Sequence, residues 1–365
     1  MALPNVDPSQ YQALLAEKLE TVKQDFAAFE LPGIEVFESP VEHYRMRAEF
    51  RVWHDGDDLD YVMFEPGNKH APVPLRECRM VSRRIHEVMF ALLDEIRPDP
   101  LMRFRLFQVD FLSTLSGELL VTLLYHRPLD DAWEHRAREL AQRFNIDIIG
   151  RSRKSKHVLS RDFVIEQLEI NGRAYRYKQV ENCFTQPNAE VCRSMVGWAL
   201  DVTCDAGGDL VELYCGNGNF TLPLAQNFRR VVATEIAKVS VRAAEFNIAE
   251  NGIDNIDVIR MSSEEFSQVL KGERQARRTA HLDLGGYDFT TVLVDPPRSG
   301  LDPDTVKQVS EYPNIVYISC NPETLRQNLA ELTRTHRIER FAMFDQFPYT
   351  EHLECGVYLV KKVTN

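Results

Sequence analysis

The feature that most limits how this chain can fold is a series of short apolar runs, each followed by a stretch with helical spacing. They are DLVELYC (209–215), VVATE (231–235), IDVIR (256–260), TVLVD (291–295) and IVYIS (315–319). Runs of this length and β-branched content read as buried parallel strands, and the stretches between them as crossover helices. The half after about residue 180 therefore predicts an α/β, doubly wound sheet. Two more strand-like runs, near 337–344 and 355–362, are separated by a loop rather than a helix, which predicts a closing antiparallel pair and a seven-stranded sheet.

The first half follows another pattern. Leu14, Leu15, Leu19, Val22 and Phe26 recur at helical spacing, so a helix opens the chain. From Ile34 to Phe64 the sequence alternates, with HDGDD (54–58) as a turn, and reads as a hairpin. A second amphipathic helix over 79–96, a hairpin around Ser116 and Gly117, and a helix over 130–144 follow. No Gly-rich nucleotide loop occurs here, so this half reads as an α+β recognition module.

Composition narrows the partners. A net charge of −12 argues against indiscriminate adhesion to nucleic acid but permits a local basic face, at Arg45, Arg47 and Arg51 or at Arg151, Arg153, Lys154 and Lys156. Either cluster reads equally well as a solvated surface. The seven cysteines show no CxxC spacing, so they read as separate thiols, with no metal or iron–sulfur site expected. No apolar run of about 18 residues and no basic-then-apolar leader occurs in the sequence, and a cytoplasmic location is the expectation.

Three motifs stand at strand ends, where ligands of open α/β sheets bind. The first is ELYCGNGNF (212–220), with an acid before its glycines that suits a positively charged cofactor and Glu235 at the next strand end in place for a ribose diol. A dinucleotide remains open at this point. In VDPPRSG (294–300), Asp295 leads into two prolines that stiffen an acidic loop, and Arg298 stands where a base-stacking aromatic would serve amine methylation. In YISCNPET (317–324), Cys320 stands next to a helix N-terminus, a position that favours the reactive thiolate. A base to accompany it is sought in the loop before the last strand. There Glu354, beside an apolar run that would raise its pKa, competes with His352.

Together with FTQPN (184–188), ATEIA (233–237), DQFPYT (345–350) and HLECGV (352–357), these motifs resemble the RNA uracil-C5 methyltransferase family. The resemblance extends into the first half through YRMRAEFRVWHDGDDL (44–59), LFQVDFL (106–112) and LLYH (123–126). It implies a Rossmann-like class I methyltransferase domain over 181–365, an RNA-recognition domain over 36–180, and an opening segment, 1–35, packed on the catalytic domain. It implies methyl transfer from S-adenosylmethionine to C5 of a uridine in the T-arm of tRNA, with tmRNA as a second target. Cys320 would then be the nucleophile and Glu354 the base, with Gln186, Tyr214, Asn219, Glu235 and Asp295 on the cofactor. Arg51, Phe107 and His126 would face the RNA, although Phe107 reads equally as a core residue. The chain is expected to act as a monomer. A ribosomal-RNA uracil-C5 methyltransferase and an RNA-folding chaperone are the competing readings.

Overall fold

The computed structural model describes residues 6–65 and 68–363. Two compact units are interleaved along the chain. The first holds Pro40–Gln167 and Gln179–Ala189, and the second holds Ser9–Ser39, Leu168–Lys178 and the chain from Glu190.

Helix α1 (Tyr11–Asp25) presents Tyr11, Leu15, Lys18 and Val22 as its buried stripe, at the three- and four-residue steps that put side chains on one helix face. It packs into the core of the second unit with Phe26, Phe341 and Leu329. Strand β1 (Ile34–Phe37) joins the same unit. The alternating stretch 34–64 is therefore not one hairpin. Ile34 to Phe37 pair in parallel with a distant strand, from Ile34 with Phe341 to Phe37 with Phe344. An alternating pattern records which face is buried but not which strand lies alongside.

The first unit is built on β2 (Arg47–Asp55), β3 (Asp58–Glu65), β4 (Asn68–Pro74), α2 (Arg83–Ile96), α3 (Pro100–Arg103), β5 (Leu106–Ser113), β6 (Leu119–Tyr125), α4 (Asp131–Phe144), β7 (Asp147–Ser152) and β8 (Ser155–Val158). Its sheet runs β4-β3-β2-β5-β6-β7-β8. Strands β6 and β7 are parallel and joined through α4, while the remaining neighbours are antiparallel. Asp130 caps α4 by accepting from Trp133 N at 2.9 Å, and Asn145 ends it in the left-handed region at φ 51°. Trp133, Phe111, Tyr61 and Met89 fill the core between helices and sheet.

Much of the expected basic surface is tied up within the unit. Arg151 makes two hydrogen bonds to Glu181 at 2.7 and 2.6 Å, Lys156 donates to Asp162 at 2.7 Å, and Arg47 donates to the Cys183 carbonyl at 2.6 Å. Arg51 stays exposed.

The hairpin β9 (Phe163–Ile170) and β10 (Arg173–Val180) leads through α5 (Ala189–Val202) into the second sheet. That sheet contains β11 (Asp209–Leu213), β12 (Arg230–Glu235), β13 (Ile256–Arg260), β14 (Phe289–Val294), β15 (Asn314–Ser319), β16 (His336–Phe344) and β17 (Glu354–Lys361). Between them run α6 (Thr221–Leu224), α7 (Lys238–Glu250), α8 (Ser263–Leu270), α9 (Pro303–Val309) and α10 (Pro322–Leu332). The order is β1-β16-β17-β15-β14-β11-β12-β13. The expected seven strands are present, and β1 makes an eighth at the edge. All neighbours are parallel except where β17 runs antiparallel between β15 and β16. Among the described residues no helix is long and apolar enough to cross a membrane.

Candidate active site at the carboxyl edge of the second sheet

Parallel strands deliver their last residues to one edge, and here the registers align them. Leu213 pairs with Thr234 of β12 and with Val294 of β14, so the following residues, Tyr214, Glu235 and Asp295, form one row. Strand β17 runs the other way and begins at this edge. Its ladder with β15 reaches Ser319 opposite Cys355, so the next residues, Cys320 and Glu354, face each other across adjacent strands.

The loop after β11 is shaped for close approach. Tyr214, Gly216 and Gly218 take positive φ of 64°, 57° and 87°. At Gly218 a Cβ would also lie 2.5 Å from the Leu222 side chain, so a larger residue cannot stand there without displacing the following helix. Glu235 accepts from Gly216 N at 3.1 Å and from Ala237 N at 2.7 Å, which locks its carboxylate at the row. The Tyr214 hydroxyl meets Ser263 Oγ at 3.0 Å. Asn247, fully buried on α7, donates to the Asn217 carbonyl at 2.9 Å and accepts from Lys178 N at 2.7 Å, bracing the loop from behind.

The loop after β14 is braced against the cysteine turn. Asn321 caps α10 and donates through Nδ2 to the Arg298 carbonyl at 2.9 Å. Asn328 accepts from Leu301 N at 2.9 Å and from the Tyr317 hydroxyl at 2.7 Å. Gly300, at φ 72°, sits so tightly on α10 that a Cβ would come 2.9 Å from Thr324 Cβ.

Electrostatically the edge is acidic. Glu212, 1% exposed, is pushed up to about 8 by burial with Asp295 nearby. Asp295 is raised to about 7 by the loss of water around it. Glu354, 4% exposed, is raised well above the carboxylate range by burial and by Asp295. Cys320 departs from the expectation. Burial, then the charges of Glu354 and Asp295, push its thiol up to about 11, and Arg298 only partly opposes them. The helix N-terminus that favours a thiolate is outweighed by burial first, and then by two carboxylates contributed from other strands.

Buried polar atoms here without a hydrogen-bond partner include Glu212 Oε2, Asn219 Nδ2, Thr221 Oγ1 and Glu354 Oε2. A buried polar atom without a partner is costly, and several gathered at one strand edge leave polar groups for a ligand to satisfy. The set fits S-adenosylmethionine, with carboxyls for a sulfonium and an ammonium, an amide for polar adenosine or amino-acid atoms, and Glu235 for a diol. His352, the competing base, is half-exposed with Nδ1 3.5 Å from Arg298, whereas Glu354 is buried beside the cysteine.

The remaining expected residues lie in the first unit. Gln186 is half-buried in the loop between β10 and α5. Phe107 is not part of the core. Its ring stacks on His126 at 3.8 Å and 15°, and the Arg51 guanidinium sits 5.3 Å from its centroid.

A family model described as tRNA (Uracil-5-)-methyltransferase matches residues 10–362. The chain belongs to this family. Relatives named tRNA/tmRNA (uracil-C(5))-methyltransferase share 54% identity in Shewanella woodyi and 55% in Vibrio cholerae, each alignment covering 99% of this chain and 100% of the relative. One from Aeromonas hydrophila is 55% identical over 97% of this chain and 95% of its own length. The fold matches the crystal structure of Pyrococcus abyssi tRNA (uracil-54, C5)-methyltransferase in complex with S-adenosyl-L-homocysteine. The TM-score is 0.72 at 22% identity, covering 96% of this chain and 83% of that one.

Two contributors escape a motif reading. Asn247 lies mid-helix with nothing local to distinguish it. Lys18 does leave a trace, as a cation on the stripe Tyr11, Leu15, Val22 and Phe26, where an apolar residue would otherwise stand.

Proposed function

We propose that this chain methylates C5 of a uridine in the T-arm of tRNA, with tmRNA as a second substrate. The observation that carries the reading is the rung that sets Cys320 against Glu354 at the edge where the row Tyr214, Glu235 and Asp295 ends. Uracil C5 is too weak a nucleophile to be methylated unaided. The Cys320 thiolate adds to C6, forming a C–S bond and moving the ring's electron pair onto C5 as an enolate. Gln186, Tyr214, Asn219, Glu235 and Asp295 would hold S-adenosylmethionine, whose sulfonium would give its methyl group to C5 as the S–CH3 bond breaks and leave as the neutral thioether, S-adenosylhomocysteine. Glu354 then takes the C5 proton, the C–H pair re-forms the C5–C6 double bond, and the C6–S bond breaks to return the thiolate to Cys320. Positive charge brought to this edge offsets Glu354 and Asp295, and so lowers the thiol from about 11 toward reactivity.

The first unit supplies RNA recognition on this reading. The half-buried Phe107 ring, stacked on exposed His126 with the Arg51 guanidinium nearby, offers an aromatic surface to an unstacked base. The chain works in the cytoplasm as a monomer.

The test is incubation with labelled cofactor and either unmodified tRNA or ribosomal RNA, followed by nucleoside analysis. Label in 5-methyluridine of tRNA is expected. Label only in ribosomal RNA would overturn the tRNA assignment, and tRNA binding without label would favour a chaperone. Cys320→Ala is expected to abolish turnover while leaving tRNA affinity intact.

A further inference from the structure

The loop that delivers Glu354 runs from residue 345 to 353, and a side chain from the far end of the sequence ties its two ends together. Lys18 reaches from α1 and donates to Asp345 Oδ1 at 2.6 Å, to the Phe347 carbonyl at 2.9 Å and to the His352 carbonyl at 2.9 Å. An ammonium has three N–H donors, and these three bonds use them all. The pair is buried, with Lys18 8% and Asp345 1% exposed.

Those attachment points bracket the loop. Asp345 follows the last residue of β16, and its N–H donates to the Phe37 carbonyl at 3.0 Å. Within the loop Thr350 Oγ1 donates to the Phe347 carbonyl at 2.7 Å and accepts from His352 N at 3.2 Å. Tyr349, held at φ 62°, packs its ring 5.9 Å from Tyr11 of α1. His352 stands two residues before Glu354, which is the first residue of β17 and the terminal rung of its ladder, opposite Phe344. A residue at the open end of a ladder is placed by what holds the chain just before it. Here Lys18 and Thr350 hold His352, and Lys18 also links it to Asp345 and Phe347.

We propose that Lys18 is a positioning residue for the general base: by tying Asp345, Phe347 and His352 together it sets where the Glu354 carboxylate stands relative to Cys320. The proposal rests on the reading of Glu354 as the base. Without the tether β17 keeps its pairing to β15 and β16, so the fold and the cofactor row persist while the terminal rung drifts. Addition of Cys320 to C6 and methyl transfer continue, whereas removal of the C5 proton slows. The enzyme then accumulates with Cys320 bonded to C6 of a methylated uracil.

The experiment compares full-length wild type, Lys18→Met and Glu354→Gln with unmodified tRNA and S-adenosylmethionine. Steady-state kinetics and the fraction of protein running as a covalent RNA adduct on a denaturing gel are both measured. Lys18→Met is expected to lower kcat by about 10²-fold, the cost of a displacement of about 1 Å at a reacting centre, with KM for the cofactor unchanged. Its adduct should rise toward the level of Glu354→Gln. Because Met strands Asp345 as a buried charge, the double variant Lys18→Met with Asp345→Asn is run beside it. It removes both charges and keeps both carbonyl tethers broken, so it too should accumulate adduct. A kcat restored to wild type in the double variant would overturn the proposal, as would a fall in kcat without adduct. Absence of adduct in Glu354→Gln would instead overturn the assignment of the base.

Discussion

Asp209 and Glu212 stand three residues apart on the same strand, both almost fully buried, and burial alone would raise both. At the start of β11, Arg229 donates to Asp209 at 3.0 and 2.5 Å and Asp288 N donates at 2.7 Å. These bonds outweigh desolvation and hold the carboxyl down at about 2. At the other end of the strand no cation answers Glu212, and it rises to about 8. The first unit repeats the Asp209 solution. Burial would raise Glu181, yet Arg151 and Lys156 hold it below the usual carboxylate range. Asp110 is an exception there, pushed up to about 6 by burial despite the Gln108 amide at 2.7 Å. A carboxylate paired within the chain is complete as structure. A carboxyl raised by burial at a strand end, as Glu212 is, suits a positively charged ligand instead.

The strongest way to break this contrast is Glu354→Gln. It should cut turnover by about 10²- to 10⁴-fold, the range for loss of a general base, and trap a Cys320-linked adduct that survives denaturation. Unchanged turnover would show that the buried carboxyl is structural.

Stability against pH tests the same contrast without RNA. A carboxyl raised on folding keeps its proton where the unfolded chain has lost it. Its contribution is complete below about 4.5 and is lost as pH rises through about 8 for Glu212. Ligand-free protein should therefore melt lower as pH rises across that window. Glu212→Gln should flatten the fall by at most about 1.4 kcal/mol per pH unit and melt higher than wild type at pH above 8. An identical slope in the variant would show that Glu212 is not protonated.

Asp209→Asn should behave in the opposite sense. A depressed carboxyl stabilises above its unfolded value, and the contribution disappears as pH falls through about 2. The variant should lose about 1–2 kcal/mol at pH 7, allowing for screening of the exposed Arg229, and the loss should shrink in acid. Denaturant melts at pH 7 and pH 3 measure both.

The smallest effect sharpens the comparison at the nucleophile. Glu354 raises Cys320, so Glu354→Gln should move the thiol from about 11 toward its ordinary value of about 8.5. Alkylation of Cys320 as a function of pH, followed by mass spectrometry of its peptide, reads this directly. A midpoint that does not move would separate the two residues.

The legible parts of the molecule were those encoded over a few residues. The runs 209–215, 231–235, 256–260, 291–295 and 315–319 each hold a strand, and the motifs at their ends meet at one edge. Less legible was anything that depended on a distant partner. Ile34 to Phe37 look like the start of a hairpin and instead pair with Phe341 to Phe344. Arg151 and Lys156 read as a basic face until Glu181 and Asp162 are beside them. Lys18 is a polar interruption in a helical stripe, and its role depends on a loop more than three hundred residues away.

The sequence by itself determined the strand series and the residues that end each strand. Right-handed crossovers carry every parallel strand end to one edge, so a list of strand-terminal residues is already a list of site residues. Only the tertiary structure decided what those residues do to one another. Antiparallel insertion of β17 between β15 and β16 puts Glu354 opposite Cys320, and the protonation of both follows from burial and from neighbours on other strands. Backbone periodicity is a local property of the chain. Electrostatics is set by distance in space, which a linear sequence does not contain.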